Sequence, residues 1–541
     1  MFMINYFGFS KLFLYICIVI RKLLNIKNMY KINSLLLKDF YKAVHFSMLP
    51  KGMTKSVSYY TPRKSRVNRW DKVVNFGLQM FIKNWLIDEF NENFFWHSKE
   101  KVVSEYRRVM DYSMGMGVCD VTKVEKLHDL GYLPIEIIAL PEGMLVPMRC
   151  PIFGITNTHD DFAWLPQALE SLISAEVWYP MITATVGHTY RQIVDRYYGL
   201  TCEDYVPRRR ALGNFDFRGD MGTDASLKAA AGWLLSFVNT ATVPAIPFME
   251  YMYNCDCSKE EVGFGAVSTE HFVMCSNSAK DIADNPDETY EYKDIDPKRE
   301  RVFLKRLLTE LYPNTSFSCV CDSYDYWNVV HNILPTLKDE ILAHNGCFLV
   351  RGDSGDCVKV VTETVFALWA IFGGTVNSKG YKVLDPHVKA IYGDSITVER
   401  AEQIYEVLMQ NGFAAQNVSL GVGSFSMHCI EEDGMLKPFT RDTFSSCIKA
   451  CDAVIDGVEY PIFKDPKTDR ETGDGFKKSQ RGACRVFWRS KLDKEITYED
   501  GLTYEESLVN NLMVPIFRDG KFLDGAEVSL SDVRNRLNRN F

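Results

Sequence analysis

Three short apolar runs in this chain stop at the same pair of polar residues. Ser318-Cys319-Val320-Cys321 leads into Asp322-Ser323, Phe348-Leu349-Val350-Arg351-Gly352 into Asp353-Ser354, and Ala390-Ile391-Tyr392-Gly393 into Asp394-Ser395. A carboxylate in such a place can hydrogen-bond the hydroxyls of a sugar and stabilise positive charge that builds on a neighbouring carbon. The second run also contains Arg351-Gly352-Asp353, the tripeptide that integrin ligands display on exposed loops. Because it is one of three similar stretches, it reads as part of a site.

Four other segments supply complementary chemistry. His271 closes Ser268-Thr269-Glu270-His271, where a histidine can be a general base, a metal ligand, a phosphoryl acceptor or simply a satisfied structural residue. Gly421-Val422-Gly423-Ser424 is either a plain turn or a nest of backbone N–H groups around a phosphate. Arg441 in Phe439-Thr440-Arg441-Asp442 suits a bidentate phosphate contact or an ion pair, and Arg218 in Asn214-Phe215-Asp216-Phe217-Arg218-Gly219-Asp220 suits either an anion or an aromatic strand's surface. A ligand carrying hydroxyls and phosphates would use all of these groups.

The elements that must position them are legible from spacing. Short apolar runs bounded by Gly, Asp and Ser are the pattern of strands buried on both faces, as in a parallel sheet covered by helices. Between them, Val361, Val365, Leu368 and Phe372 fall on one helical face. Ile404, Val407 and Leu408 do the same within Val398–Asn411, with Thr397 placed as N-cap and Gly412 just past the end. A third helical stretch is expected from Tyr324 to Ala343 despite Pro335. Strand, Asp-Ser, helix, repeated, is βα repetition, and ligands of such sheets bind at the carboxyl ends of the strands.

Composition narrows the class. The 541 residues suffice for two or three domains, and 46% hydrophobic with 24% charged residues is ordinary for a soluble globular protein. A net charge of −8 argues against a nucleic-acid binder with a broad basic face. Fifteen cysteines show no paired C-x2-C modules, which suits reduced, buried cysteines in the cytoplasm. Residues 1–28 form an apolar leader interrupted by Lys11, which leaves Leu12 to Ile20 as its uninterrupted apolar run. That run is shorter than the roughly 18 to 20 residues of a spanning helix. It reads either as a signal anchor or as sequence upstream of a start at Met29, and no membrane association is expected. Lys280–Arg301 reads as a solvated insertion or a helix start, and 464–481 as a mobile basic loop.

With these residues in place, the chain resembles the nicotinamide phosphoribosyltransferases, type II phosphoribosyltransferases of NAD salvage. The resemblance runs from about Asn33 to the C-terminal region. It is carried by Asp39-Phe-Tyr41-Lys-Ala-Val-His45, Trp178-Tyr-Pro180, Phe215-x-x-Arg218-Gly219, Glu270-His271, Asp322-Ser-Tyr-Asp325, Arg351-x-Asp353-Ser-Gly355, Asn377-Ser-Lys-Gly-Tyr-Lys382, Gly393-Asp394, Thr440-Arg441-Asp442 and Phe463-Lys-Asp-Pro466.

The resemblance implies an incomplete α/β barrel (176–425) packed against a mixed α/β sandwich domain built from N- and C-terminal segments (29–175 and 426–541). It implies a reaction in which nicotinamide and 5-phosphoribosyl 1-pyrophosphate give nicotinamide mononucleotide and pyrophosphate, with Mg²⁺ and with ATP as coupling substrate. Catalysis would rest on His271, Asp353, Asp394 and Arg351, the histidine as phosphoryl acceptor. Phe215 and the other subunit's copy of Tyr41 would sandwich the ring in a homodimer with shared sites. Substrate contacts would come from Asp39, Arg63, Arg218, Ser318, Asp322, Gly393, Gly423, Ser424, Arg441, Lys449 and Lys464, while no metal ligands are assigned.

Two departures stand out. The family's Gly-Thr-Asp-Thr-Val reads Asn239-Thr240-Ala241-Thr242-Val243 here, so the carboxylate that receives the carboxamide is absent, with Asp216 or Asp220 as substitutes. The phosphate loop's third glycine is replaced in Gly-Val-Gly-Ser424-Phe425. The first departure leaves a nicotinate-preferring enzyme as the closest alternative. A membrane-anchored adhesion protein displaying Arg351-Gly352-Asp353 is the alternative from another class.

Overall fold

Two strand populations with different connection lengths build two separate sheets. The computed structural model describes residues 32–284, 297–473, 475–492 and 494–538; the apolar leader and most of the acidic insertion lie outside them. In chain order the strands that matter are β1 (Met53–Thr61), β2 (Ile135–Ala139), β3 (Phe153–Asn157), β4 (Leu212–Asn214), β5 (Asn239–Thr240), β6 (Val267–Ser268), β7 (Phe317–Val320), β8 (Phe348–Gly352), β9 (Val388–Tyr392), β10 (Val418–Val422), β11 (Cys429–Glu432), β12 (Met435–Pro438), β13 (Cys447–Ile455), β14 (Val458–Pro461), β15 (Val514–Arg518) and β16 (Lys521–Phe522).

The first sheet has the order β14-β13-β1-β3-β2-β15-β16 and is antiparallel throughout. It takes strands from both ends of the chain. Asp-Gly pairs make three of the tight turns that hairpins need, at Asp433-Gly434, Asp456-Gly457 and Asp519-Gly520, each with φ positive at both residues.

The second sheet, in the order β5-β4-β10-β9-β8-β7-β6, is wholly parallel. A parallel bridge from Asn239 to Phe264, just ahead of β6, brings its edges together into a nearly closed barrel. Strands β7 and β10 are buried along their length, as their apolar runs predict, whereas β8 and β9 alternate buried with half-buried positions, Arg351 among the latter. The connecting helices include α1 (Trp178–Thr201), α2 (Thr223–Trp233), α3 (His271–Asp284), α4 (Cys357–Phe372) and α5 (Val398–Gln410).

Helix α4 starts where Asp356 accepts hydrogen bonds from the Val358 and Lys359 amides, and it buries Val361, Val365, Leu368 and Phe372. In α5 the Thr397 hydroxyl accepts from the Arg400 amide, and Gly412 past its end has φ of 75°. The expected helix over Tyr324–Ala343 is borne out as nearly continuous helical turns, Tyr326–Asn328, Val329–Ile333, Leu334–Thr336 and Lys338–Ala343, interrupted at Leu337; Pro335 is accommodated where the preceding turn, Val329–Ile333, widens to a π-helix. The apolar run at Val262 becomes strand only at Val267, after Gly263 and Gly265, and Phe217–Gly219 is a 3₁₀ turn rather than a strand.

The described cysteines are all unpaired, and most are buried. Among the described residues no helix is long and apolar enough to cross a membrane. The 464–481 loop is held at its base, where Lys464 and Ser479 exchange hydrogen bonds, and it carries a short helix at Lys467–Thr472.

Candidate functional site

The parallel register delivers the predicted carboxylates to one end of the barrel. Arg351 pairs with Val320 on one side and Ile391 on the other, so the residues after β7, β8 and β9 emerge side by side. Asp322 joins two of them, its Oδ2 accepting from the Asp353 amide at 2.9 Å and from the Ser354 hydroxyl. Arg351 is held by its own neighbours, donating from Nη2 to Asp353 Oδ2 at 3.0 Å and from Nη1 to Ser268 Oγ at 2.9 Å.

Three polar atoms of this cluster are buried and make no hydrogen bond with any described residue: Asp322 Oδ1, Asp353 Oδ1 and Arg351 Nε. Such atoms carry a desolvation cost that a bound ligand can relieve. Burial pushes the Asp353 carboxyl above its ordinary range, partly offset by the Arg351 guanidinium. Gly393 packs so closely that a Cβ there would stand 2.1 Å from Asp353 Oδ1, so the next strand can approach the carboxylate only without a side chain. Asp394 beyond it is exposed and accepts from the Ser395 hydroxyl at 3.0 Å, with Ser395 held at φ of 58°.

His271 begins α3 at the end of β6. Its Nδ1 lies 3.1 Å from Ser323 Oγ and its Nε2 3.7 Å from Asp322 Oδ1, and the side chain is about half exposed (49%). The imidazole therefore opens to solvent with a carboxylate on one side. The Arg351-Gly352-Asp353 tripeptide ends a strand, with its two charged side chains paired to each other and largely covered (14% and 24% exposed). It is not a displayed loop.

On the opposite arc, Phe215 follows β4 and its amide donates to the Val422 carbonyl of β10 at 2.8 Å. A Cβ on Gly421 would lie 2.4 Å from the Phe215 ring, so that glycine lets the ring lie against the strand end as a platform. Gly423 and Ser424 cap β10 beside it, and Arg218 is exposed in the turn that follows. Ser318 sits deeper, as the second residue of β7, buried with its hydroxyl unpartnered among the described residues.

The other predicted residues form a second group, on the antiparallel sheet. Lys449 in β13 lies opposite Tyr59 of β1, and Arg63 follows the end of β1, its Nε donating to the Ser445 carbonyl at 3.0 Å. Glu170 ties Lys449 (2.7 Å) to Lys42. Burial alone would raise the Glu170 carboxyl, but its hydrogen bonds to the two lysines outweigh that and hold it below its ordinary value. Asp39 accepts from the Ser171 hydroxyl at 2.5 Å and from Tyr41 at 3.4 Å. Tyr41 is more than half exposed, and Arg441 is half exposed. Lys464 is exposed at the base of its loop.

Sequence reasoning missed Glu170, Ser268 and His428. Glu170 and His428 have no motif around them; their roles come from partners more than 100 residues away. The signal that points to His428's surroundings is the Asp433-Gly434 turn of the β11–β12 hairpin just after it.

The chain is similar to known proteins along most of its length. Residues 33–137 match the nicotinamide phosphoribosyltransferase N-terminal domain, and residues 268–495 match the nicotinate phosphoribosyltransferase (NAPRTase) family. The chain is 38% identical over 535 residues to a nicotinamide phosphoribosyltransferase of Acinetobacter baylyi, covering 94% of this chain and 97% of that one. It is 29% identical to one of Xanthomonas campestris pv. campestris, covering 93% and 98%. In fold it is similar to the nicotinate-nucleotide pyrophosphorylase of Pyrococcus furiosus (TM-score 0.54, 14% identity, 95% and 97% covered). It is equally similar to human nicotinic acid phosphoribosyltransferase (TM-score 0.54, 16% identity, 93% of each chain).

Proposed function

The chain belongs to the nicotinamide phosphoribosyltransferase family, and from that premise we propose that it joins nicotinamide to C1 of 5-phosphoribosyl 1-pyrophosphate, releasing pyrophosphate and forming nicotinamide mononucleotide for NAD salvage. The observation that carries this reading is the buried trio Asp322, Asp353 and Arg351, whose unpartnered atoms meet at adjacent strand ends.

As the C1–O bond to pyrophosphate breaks, positive charge builds on the anomeric carbon. Asp353 and Asp394 hold the ribose hydroxyls and lie where their negative charge favours that state over the neutral ground state. Arg351 and Arg218 take the departing pyrophosphate. Phe215 stacks on the pyridine ring and presents its nitrogen to C1, an offset stack contributing about 0.5–1.5 kcal/mol beyond burial. Gly423 and Ser424 offer backbone and hydroxyl donors to the 5′-phosphate.

The carboxylate oxygens of Asp322 and Asp353 are the kind of hard ligand Mg²⁺ prefers. Among the described residues no three His, Cys, Asp or Glu side chains are grouped to hold a metal ion. Mg²⁺ held here would therefore keep waters and bind substrate phosphates as well, and when bound it neutralises charge on the leaving pyrophosphate. His271 takes the γ-phosphoryl group of ATP: an N–P bond forms, the P–O bond to ADP breaks, and hydrolysis of the phosphohistidine returns the imidazole.

The group on the antiparallel sheet, Asp39, Tyr41, Arg63, Arg441, Lys449 and Lys464, completes the site of a second copy in a homodimer, Tyr41 covering the open face of the ring and the cations reaching phosphates. The enzyme works in the cytoplasm.

Turnover of nicotinamide and of nicotinate by the purified protein, with product identified by mass, tests the reading. Nicotinamide mononucleotide is the expected main product. Failure to use either base would refute it, and nicotinate as the better substrate would favour the alternative that Ala241 suggests.

A further inference from the structure

Arg351 makes only half of the contact with Asp353 that the two side chains allow. An arginine and a carboxylate commonly join through two parallel hydrogen bonds. Here a single bond runs from Nη2 to Asp353 Oδ2 at 3.0 Å, while Asp353 Oδ1 and Arg351 Nε, both buried, have no hydrogen-bond partner among the described residues. The other end of the guanidinium is drawn away from the carboxylate. Nη1 donates to Ser268 Oγ at 2.9 Å.

Ser268 ends β6, an edge strand of the parallel sheet, and its backbone is fixed against β7. It lies opposite Ser318 in parallel register, the Thr269 amide donates to the Ser318 carbonyl at 3.0 Å, and the Thr269 hydroxyl oxygen accepts from the Val320 amide at 3.0 Å. The hydroxyl is oriented as well as placed. Ser268 Oγ donates its own proton to the Thr269 carbonyl at 3.2 Å, which leaves its lone pairs for the guanidinium. The side chain is exposed, so the core does not rest on it.

Without this second anchor Nη1 is free to turn onto Asp353 Oδ1 and complete the two-bond pair, the stronger arrangement for these groups. That closure would consume inside the protein the carboxylate oxygen that a sugar hydroxyl needs. We propose that Ser268 is a positioning residue that holds the Arg351–Asp353 pair open, keeping Asp353 Oδ1 available to a ribose hydroxyl and the guanidinium edge available to pyrophosphate. The inference deepens the proposed function and rests on Arg351 and Asp353 facing the sugar and its leaving group.

The test compares steady-state kinetics of the full-length wild type with those of Ser268→Ala. kcat/KM for 5-phosphoribosyl 1-pyrophosphate should fall by roughly tenfold or more, the scale of losing one hydrogen bond to a charged group. Pyrophosphate should inhibit the variant correspondingly less, and KM for nicotinamide should not change. Ser268→Thr, which keeps the hydroxyl, should retain the wild-type values, whereas Ser268→Cys, similar in shape but a weak acceptor, should fall as Ser268→Ala does. A merely structural serine would neither sort the variants by their hydroxyl nor confine the loss to the phosphorylated substrate. A folded Ser268→Ala with the wild-type kcat/KM, or a loss that Ser268→Thr shares in full, overturns the inference and leaves the transfer reaction standing. If Ser268→Ala does not fold, Ser268→Cys is measured in its place, and unchanged kinetics there have the same force. A wild type that forms a mononucleotide from neither base overturns the functional reading itself.

Discussion

The mouth of the barrel and the edge of the antiparallel sheet both collect charged residues, but they hold them in opposite ways. At the mouth, Asp322 and Arg351 are largely covered (6% and 14% exposed) and are joined through Asp353, whose amide donates to Asp322 and whose carboxylate accepts from Arg351, yet they keep unpartnered atoms. At the sheet edge, Tyr41 and Arg441 are half exposed, and Lys449 reaches outward (36% exposed) from its pairing with Glu170. Desolvated, preorganised groups act on charge that develops in a transition state, whereas solvated cations mainly attract and hold anions. The first arrangement suits chemistry and the second suits binding.

The contrast can be broken most sharply at His271, which stands at the mouth but opens to solvent. His271→Ala should abolish ATP hydrolysis and acid-labile ³²P labelling from γ-labelled ATP while leaving weakened nicotinamide mononucleotide formation, because glycosidic transfer does not need the imidazole. Persistent labelling would remove the phosphoryl-acceptor role.

Asp353→Asn comes next. It should lower kcat by about 10²- to 10³-fold, the range for losing one preorganised electrostatic group, with a smaller change in KM for 5-phosphoribosyl 1-pyrophosphate. Steady-state kinetics showing a wild-type kcat would take the chemistry away from the mouth.

The smallest effect belongs to the sheet edge. Lys449→Ala should raise that KM by roughly tenfold, about the loss of one charge-assisted phosphate contact, and leave kcat within a few-fold. A fall in kcat matching that of Asp353→Asn would erase the distinction between the two regions.

The same two regions differ in how much of them could be read from the chain. Strands β7, β8 and β9 each announce themselves by an apolar run ending in Asp-Ser, because a parallel strand buried by its own neighbouring helix is specified locally. Helix α5 likewise carries both of its end signals. The antiparallel sheet could not be read this way. One of its pairs joins β1 to β13, residues about 390 apart in sequence, and no local pattern encodes which distant strand will be a partner. The Lys42–Glu170–Lys449 link and the Asp220–His428 contact depend on such distant pairings too, so individually ordinary residues acquire roles only in the fold. Within Tyr324–Ala343 the apolar periodicity prevailed over Pro335, which the helix absorbs through a π turn at Val329–Ile333.

That the two regions serve one reaction is tested most directly by mixing two separately inactive variants, Tyr41→Ala at the sheet edge and Asp353→Ala at the mouth. In a symmetric dimer with sites shared between subunits, random exchange gives hybrids with one intact site, so activity should recover to roughly a quarter of wild type. Mixtures that stay inactive although subunit exchange is demonstrated would contradict a site assembled from both regions.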